Sequence, residues 1–259
     1  MPLRPIVEQR SRDMVEKYHK TLRIPSFDSD LAGRLKPSSF LNLAQEAANI
    51  HADYLGVGYD TISVTRRAWV LARTHVIFHR MPLWRDHVTL ESWHKSANGF
   101  QYYRDFTVDS AEGERMISAT TTWLVIDIDT RRMVRNADFG DEGIEGIPED
   151  AVAEPAPKIV MPREVEAERV CEHRVVYSDL DINGHVNNVN YALWAMDAVD
   201  IDVALQRPLR ELVINYNSEI VKGDMVELFR ICEESEGLTR YYIEGRVEGR
   251  SSFVARLDF

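Results

Sequence analysis

Two stretches of this chain are written in one frame. Asp30, Gly33, Leu35 and Phe40 correspond to Asp181, Gly184, Val186 and Tyr191, each pair 151 residues apart, in a D-x-x-G-[RH]-[LV]-x4-[FY] pattern. In both copies a turn leads into a helix. Leu35 and Phe40, like Val186 and Tyr191, straddle the expected helix start as a hydrophobic staple would, which puts Pro37 and Asn188 at the same first helical position. A further match sets Asp86, Val88 and Leu90 against Asp224, Val226 and Leu228 at a spacing of 138, so the first copy carries 13 extra residues between helix and strand. A repeat of this kind makes a duplicated module the first expectation for the fold.

The rest of the pattern agrees. In the first half a helix is expected from Pro37 through "FLNLAQEAANIHADYLG", with Phe40, Ala44, Ala47, His51 and Leu55 on one face and Gly56 closing it. Four strand-like runs follow, "AWVLARTHVIF", "HVTLESWH", "FQYYRDFTV" and "MISATTTWLVIDI", rich in β-branched and aromatic residues. In the second half a helix-like run from about Asn187 to Leu205 precedes "ELVINYNSEIV", "DMVELFRICE", "TRYYIEGRVE" and "SSFVARLDF". A helix followed by a meander, twice, is an α+β architecture. Residues 138–169, with Pro148, Pro155, Pro157 and Pro162 among many acidic side chains, read as a linker between modules 1–137 and 170–259.

Composition excludes several classes. No run approaches the ~20 apolar residues of a membrane span, and the charged opening "MPLRPIVEQRSRDMVEKYHK" lacks the apolar stretch of a secretory signal. A net charge of −11 argues against general affinity for nucleic acid. Cys171 and Cys232 lie far apart without metal-ligand spacing, so the reduced cytoplasm is the expected setting and no metal is expected.

If the halves are copies, their differences carry the function. Asn183 stands where the first half has Ala32, His185 where it has Arg34, and Glu219 where it has Met81. A carboxylate, an imidazole and an amide thus occur together in one half only. Gly184 permits a sharp turn, Asn183 tolerates left-handed backbone, and the N–H groups opening the next helix can meet a carbonyl that is gaining negative charge. Glu219 follows the apolar run "ELVINYN", where partly dry surroundings suit a base. The plainer reading stays open. Asp-x-Asn-Gly is ordinary turn chemistry, Asn187 or Asn188 can simply cap a helix, and Asp30 in the place of Asp181 is explained by a structural role in both halves.

The stretch "DLDINGHVNNVNYALW", followed by "NYNSEIVKGDMVEL", closely resembles the second half of the acyl-ACP thioesterases, tandem hotdog-fold enzymes of plants and bacteria. "GRLKPSSFLNLAQEAANIHADYLGVGYD", "AWVLARTHVIFHRMPLWRDHVTLESW" and "YYRDFTV" resemble the first half, so the likeness covers nearly the whole chain. The resemblance implies a double hotdog, two tandem modules each wrapping an antiparallel β-sheet around a long helix. It implies hydrolysis of the thioester between a fatty acyl chain and acyl carrier protein, with the acyl pocket in the first module and Asp181, Asn183, His185 and Glu219 as the catalytic set in the second.

Plant members carry a cysteine after that glutamate; Ile220 stands there in this chain, which removes a cysteine nucleophile. No cofactor is implied beyond the phosphopantetheine that the substrate itself carries. Docking an acidic carrier protein onto an acidic chain calls for a local basic face, for which Arg66, Arg67, Arg131, Arg132 and Arg135 are the candidates. An acyl-CoA thioesterase, a 3-hydroxyacyl-thioester dehydratase and a non-catalytic acyl-binding module are the rival readings, and a homodimer is left open.

Overall fold

The computed structural model describes residues 16–138 and 144–259; most of the charged opening segment and positions 139–143 of the acidic linker lie outside the described residues. The first half runs β1 (Tyr18–Arg23), α1 (Pro37–Tyr54), α2 (Tyr59–Val64), β2 (Arg67–Phe78), β3 (His87–Asn98), β4 (Gln101–Ser110), β5 (Arg115–Asp127) and the short β6 (Met133–Val134). The second runs β7 (Glu168–Arg174), α3 (Asn188–Asp197), α4 (Ile201–Gln206), β8 (Glu211–Tyr216), β9 (Met225–Ser235), β10 (Leu238–Val247) and β11 (Arg250–Asp258).

All strands join one antiparallel sheet in the order β1-β3-β4-β5-β2-β8-β11-β10-β9-β7, with β6 paired to β5. The order reads the same from both ends once each strand is matched to its repeat partner. The centre is the β2–β8 seam. There His75 faces Val213, its own equivalent at the 138 spacing, and Arg73 faces Asn215 while Ile77 faces Glu211. A pseudo-twofold axis through the His75–Val213 pair therefore relates the halves.

The turns obey the same symmetry. Single 3-10 turns occupy Ser26–Asp28 and Tyr177–Asp179, and bridges pair Ser29 with Leu35 and Leu180 with Val186. Arg34 bridges Leu83 as His185 bridges Val221, which joins the 151 and 138 spacings in one contact. Helices α1 and α3 begin at Pro37 and Asn188, as the shared frame requires. Their apolar faces, Phe40, Ala44 and Ala47 on α1 and Tyr191, Ala192 and Ala195 on α3, lie in a single core with the inward side chains of the sheet.

Three features depart from the sequence reading. The second helix breaks. α3 ends at Asp197, and Asp200 takes an extended backbone (ψ 126°) before α4 begins. The Asp200 carboxylate accepts from Tyr241 Oη at 2.9 Å and Arg230 Nη1 at 2.8 Å, which ties the chain to β9 and β10 at that point. The edge strands β1 and β7 bear largely polar, mostly exposed side chains and lack apolar alternation, and β7 takes up the last residues assigned to the linker.

The acidic segment, finally, does not hang free. It has no helix or strand between residues 144 and 167, yet it is bonded across the sheet: Ile147 N to His94 O, Ala151 N to Asp105 Oδ2, Ile159 N to Asn215 Oδ1, and Asn215 Nδ2 to Pro157 O. Ile159 then packs on Val213 and Val254. The segment thus straps the first half to the second across the seam.

Candidate active site

Both Asp-x-x-Gly turns are built alike. In the first, Asp30 Oδ1 accepts the amides of Ala32 and Arg34, each at 2.8 Å; in the second, Asp181 Oδ1 accepts those of Asn183 at 2.8 Å and His185 at 3.4 Å. Gly33 and Gly184 have φ of +75° and +77°, a backbone that disfavours a side chain. The turn is therefore a fixed mount, and what differs is what it carries. In the first half it carries Arg34, whose guanidinium returns to Asp30 and also donates to Ala204 O and Arg207 O of the other half, a wholly structural use. In the second half it carries His185.

The turn presents His185 toward Glu219, with Nε2 3.7 Å from Oε2, both side chains a little over a third exposed. The main chain fixes this pairing, since Val186 N donates to Ile220 O at 2.8 Å and His185 bridges Val221. Glu219 lies three residues past the end of β8, in surroundings wetter than the apolar run before it suggests. It is not alone there: Arg131 Nη2 reaches the same Oε2 at 2.7 Å. Asn183 is exposed, and its side-chain amide donates to Asp181 Oδ2 at 3.4 Å. His185 and Glu219 are thus brought together directly, while Asp181 and Asn183 form a neighbouring pair tied to them through the turn.

Below the turn, Tyr191 packs against Trp194, Tyr216 and Phe253. Burial pushes the Tyr191 and Tyr216 hydroxyls above the ordinary phenol range, so both are neutral and serve the apolar floor of the site. The N-cap is Asn187, whose Oδ1 takes the Val189 amide at 3.0 Å. That amide is already occupied, so an oxyanion at this helix start would have to use the other first-turn amides.

The basic candidates gather at one end of the sheet, where Arg67 of β2 faces Asp127 of β5. Arg66 pairs with Asp129 at 2.5 Å, and Arg135 lies 5.2 Å from the Phe100 ring centre. Arg132 is exposed in the turn after β5, and Arg131 in the same turn points to Glu219. Among the described residues no group of His, Cys, Asp and Glu side chains is arranged to hold a metal.

A cleft opens in the first half between the C-terminal part of α1 and the sheet, lined by Ala48, Ala52, Leu55, Trp69 and Trp123, with Arg104 and His94 among its polar groups. The extra residues of the first copy are spent here. α1 covers the same positions as α3 and α4 together, and the surplus falls after it, in α2 and in the start of β2 at Arg67, where β8 starts only at Glu211, the equivalent of Arg73. The sequence reading did not single out the polar groups. Arg104 is buried and donates to His51 Nδ1 at 2.9 Å and Ser92 Oγ at 3.0 Å. Burial lowers its pKa to about 10 and, with Arg104 nearby, holds both His51 and His94 down to about 4. A lone arginine inside "FQYYRDFTV" was the available signal; Tyr241 faces Cys232 in the second half as Arg104 faces His94 in the first.

Comparison with known proteins decides what this arrangement belongs to. The family description "Acyl-ACP thioesterase N-terminal domain" matches residues 15–140, and "Acyl-ACP thioesterase C-terminal domain" matches residues 162–259. The chain belongs to the acyl-ACP thioesterase family. Among curated members, "Oleoyl-acyl carrier protein thioesterase 2, chloroplastic" of Arabidopsis thaliana is 28% identical over 237 residues, covering 83% of this chain and 63% of the relative. "Dodecanoyl-[acyl-carrier-protein] hydrolase, chloroplastic" of Umbellularia californica is 26% identical over 220 residues, covering 81% of this chain and 58% of the relative. The chain therefore spans about six tenths of the length of these two relatives.

Two solved members share the fold at a TM-score of 0.80. One is an acyl-ACP thioesterase from Bacteroides thetaiotaomicron, 23% identical, covering 93% of this chain and 96% of that one. The other is the 12:0-ACP thioesterase from Umbellularia californica, 21% identical, with the same coverage. The acyl-ACP thioesterase architecture, a double hotdog of two sheet-wrapped helices, is the fold described above. No helix among the described residues is long and apolar enough to cross a membrane.

Proposed function

We propose that this chain hydrolyses fatty acyl thioesters of acyl carrier protein, releasing free fatty acid and the carrier with its phosphopantetheine thiol. The observation that carries the reading is the asymmetry of two otherwise equivalent turns. One is closed by the structural Arg34, whereas the other aims His185 at Glu219 across 3.7 Å, within a family whose named members act on this class of substrate.

In this reading a water molecule held by Glu219 and His185 attacks the thioester carbonyl carbon and gives up its proton to one of them. Collapse of the tetrahedral intermediate breaks the C–S bond, and the same proton returns to the departing thiolate. Asn183 and the first-turn amides of α3 are the donors nearest a developing oxyanion, each such donor typically worth ~3 kcal/mol in the transition state. Asp181 holds the turn. The cleft of the first half, walled by α1, Trp69 and Trp123, takes the acyl chain, and Arg66, Arg67, Arg132 and Arg135 form the basic rim that meets an acidic carrier protein. Two free, exposed cysteines, Cys171 and Cys232, suit a reducing compartment such as the cytoplasm.

The test is free-thiol release from carrier proteins loaded with short to long acyl chains, beside the matching acyl-CoAs. Multiple turnovers, faster on the carrier protein, are expected; stoichiometric binding without thiol release would overturn the proposal.

A further inference from the structure

Two features from opposite halves meet at the site. Glu219 has the apolar Met81 as its first-half equivalent. Arg131 lies in the turn after β5, in the first half. The turn is built to hold Arg131 in place. Asp127 Oδ1 accepts the amides of Asp129 at 3.1 Å and Thr130 at 2.7 Å as well as the Thr130 hydroxyl at 2.9 Å. Arg66 clasps Asp129, Ile128 N donates to Arg66 O, and Arg131 N donates to Asp127 O at 2.8 Å. At the tip, Arg131 itself takes a left-handed φ of +57°, uncommon for a residue with a side chain.

The strained tip sends the guanidinium 88 residues along the chain, to Glu219 Oε2 at 2.7 Å. The Arg131 side chain is 60% exposed, and ion pairs so placed add little to folding stability, so stability does not account for the arrangement. Geometry at the carboxylate does. Oε2 stands between Arg131 and His185 Nε2, and a glutamate past the end of its strand has no other charged partner among the described residues to fix its rotamer.

We infer that Arg131, supplied by the first half, is a positioning residue that holds the Glu219 carboxylate beside His185, so that the hydrolytic site is completed across the seam. The inference rests on the reading of Glu219 as part of that site. It also takes Arg131 out of the carrier-docking set, because its guanidinium is engaged at the Glu219 carboxylate.

The experiment is steady-state thiol release by wild type, Arg131→Ala, Arg131→Lys and Glu219→Gln, with the acyl chain that wild type turns over fastest, on carrier protein and on CoA. Arg131→Ala is expected to lower kcat roughly 10- to 100-fold on both substrates, the penalty of a misplaced catalytic group, with KM unchanged. Its melting temperature should match wild type, and Arg131→Lys should recover part of the rate. A rise in KM confined to the carrier-protein substrate, with kcat kept, would make Arg131 a docking residue and overturn the inference. Full activity of Arg131→Ala beside an inactive Glu219→Gln would overturn the inference alone. Turnover retained by Glu219→Gln would remove the role of Glu219 and the inference with it, as would absence of thiol release by wild type.

Discussion

Removing the aspartate from each of the two turns separates structure from chemistry. Asp181→Ala deletes one good amide-to-carboxylate bond (2.8 Å) and two marginal ones (3.4 Å each, from the His185 amide and the Asn183 side chain), all at a partly exposed site. Charge-assisted bonds are worth about 1.5–3 kcal/mol when buried, so with solvent screening this deletion costs about 1 kcal/mol. Asp30→Ala deletes two amide bonds at 2.8 Å and also frees Arg34, which approaches Asp30 through Nε at 3.0 Å and Nη2 at 2.8 Å while reaching to Ala204 O and Arg207 O. That loss is about 2–3 kcal/mol on the same scale.

For a chain of this size 1 kcal/mol moves the melting temperature by roughly 2–4 °C. Asp181→Ala should therefore melt about 2–4 °C below wild type, and Asp30→Ala about 4–12 °C below. Activity should run the other way. Thiol release should fall at least about 100-fold in Asp181→Ala, because the mount of Asn183 and His185 is loosened, and should be nearly retained in Asp30→Ala at a temperature where both are folded. Thermal melts and thiol release on the same preparations read both axes. Equal losses of activity, or a larger loss of stability in Asp181→Ala, would refute the division into a supporting half and a reacting half.

Two further outcomes follow from the same structure. Gly184→Ala should lower stability by about 1–2 kcal/mol through backbone strain alone, because an added Cβ meets nothing within 4 Å; Gly184→Asn, better tolerated at positive φ, should cost less, and thermal melts rank the two. His51 and His94 are held down to about 4 by burial and Arg104, so below pH 6.5 the unfolded chain binds protons that the folded chain refuses. Their contribution to stability is complete above pH 6.5 and is lost as pH falls toward 4; urea melts at pH 7 and pH 5 should show this loss, and His94→Gln should reduce it.

The parts of the fold that can be read from the sequence are those whose cause is local. The Asp-x-x-Gly frame encodes the turn through a carboxylate that reaches amides two and four residues on and a glycine that accepts positive φ, so the two turns and both helix starts are legible within one short stretch. The broken second helix is not, because apolar periodicity continues through Val199 and Ile201 while the partners that break it, Arg230 and Tyr241, are 30 and 41 residues away. β1 and β7 are edge strands with one neighbour each among the described residues, so polar side chains suit them and the alternation that marks a strand is missing.

The candidate site divides in the same way. Asn183, His185 and Glu219 emerge from comparing the halves, since the comparison cancels whatever both need for folding. Arg131 resembles one more surface charge until the sheet brings it to Glu219, and Arg104 is one of several polar residues in β4 until His51 and Ser92 close on it. These are long-range contacts, and no local pattern records them.

The central claim is that the second-half pair of His185 and Glu219 hydrolyses a fatty acyl thioester. Its most direct measurement is multiple-turnover thiol release from acyl carrier protein by wild type and by Glu219→Gln, a substitution that keeps size and removes the charge. Glu219 follows β8 on the surface, so both proteins should melt at nearly the same temperature. Wild-type turnover with a loss of roughly 100-fold or more in the variant is the expected result. Equal rates would contradict the claim.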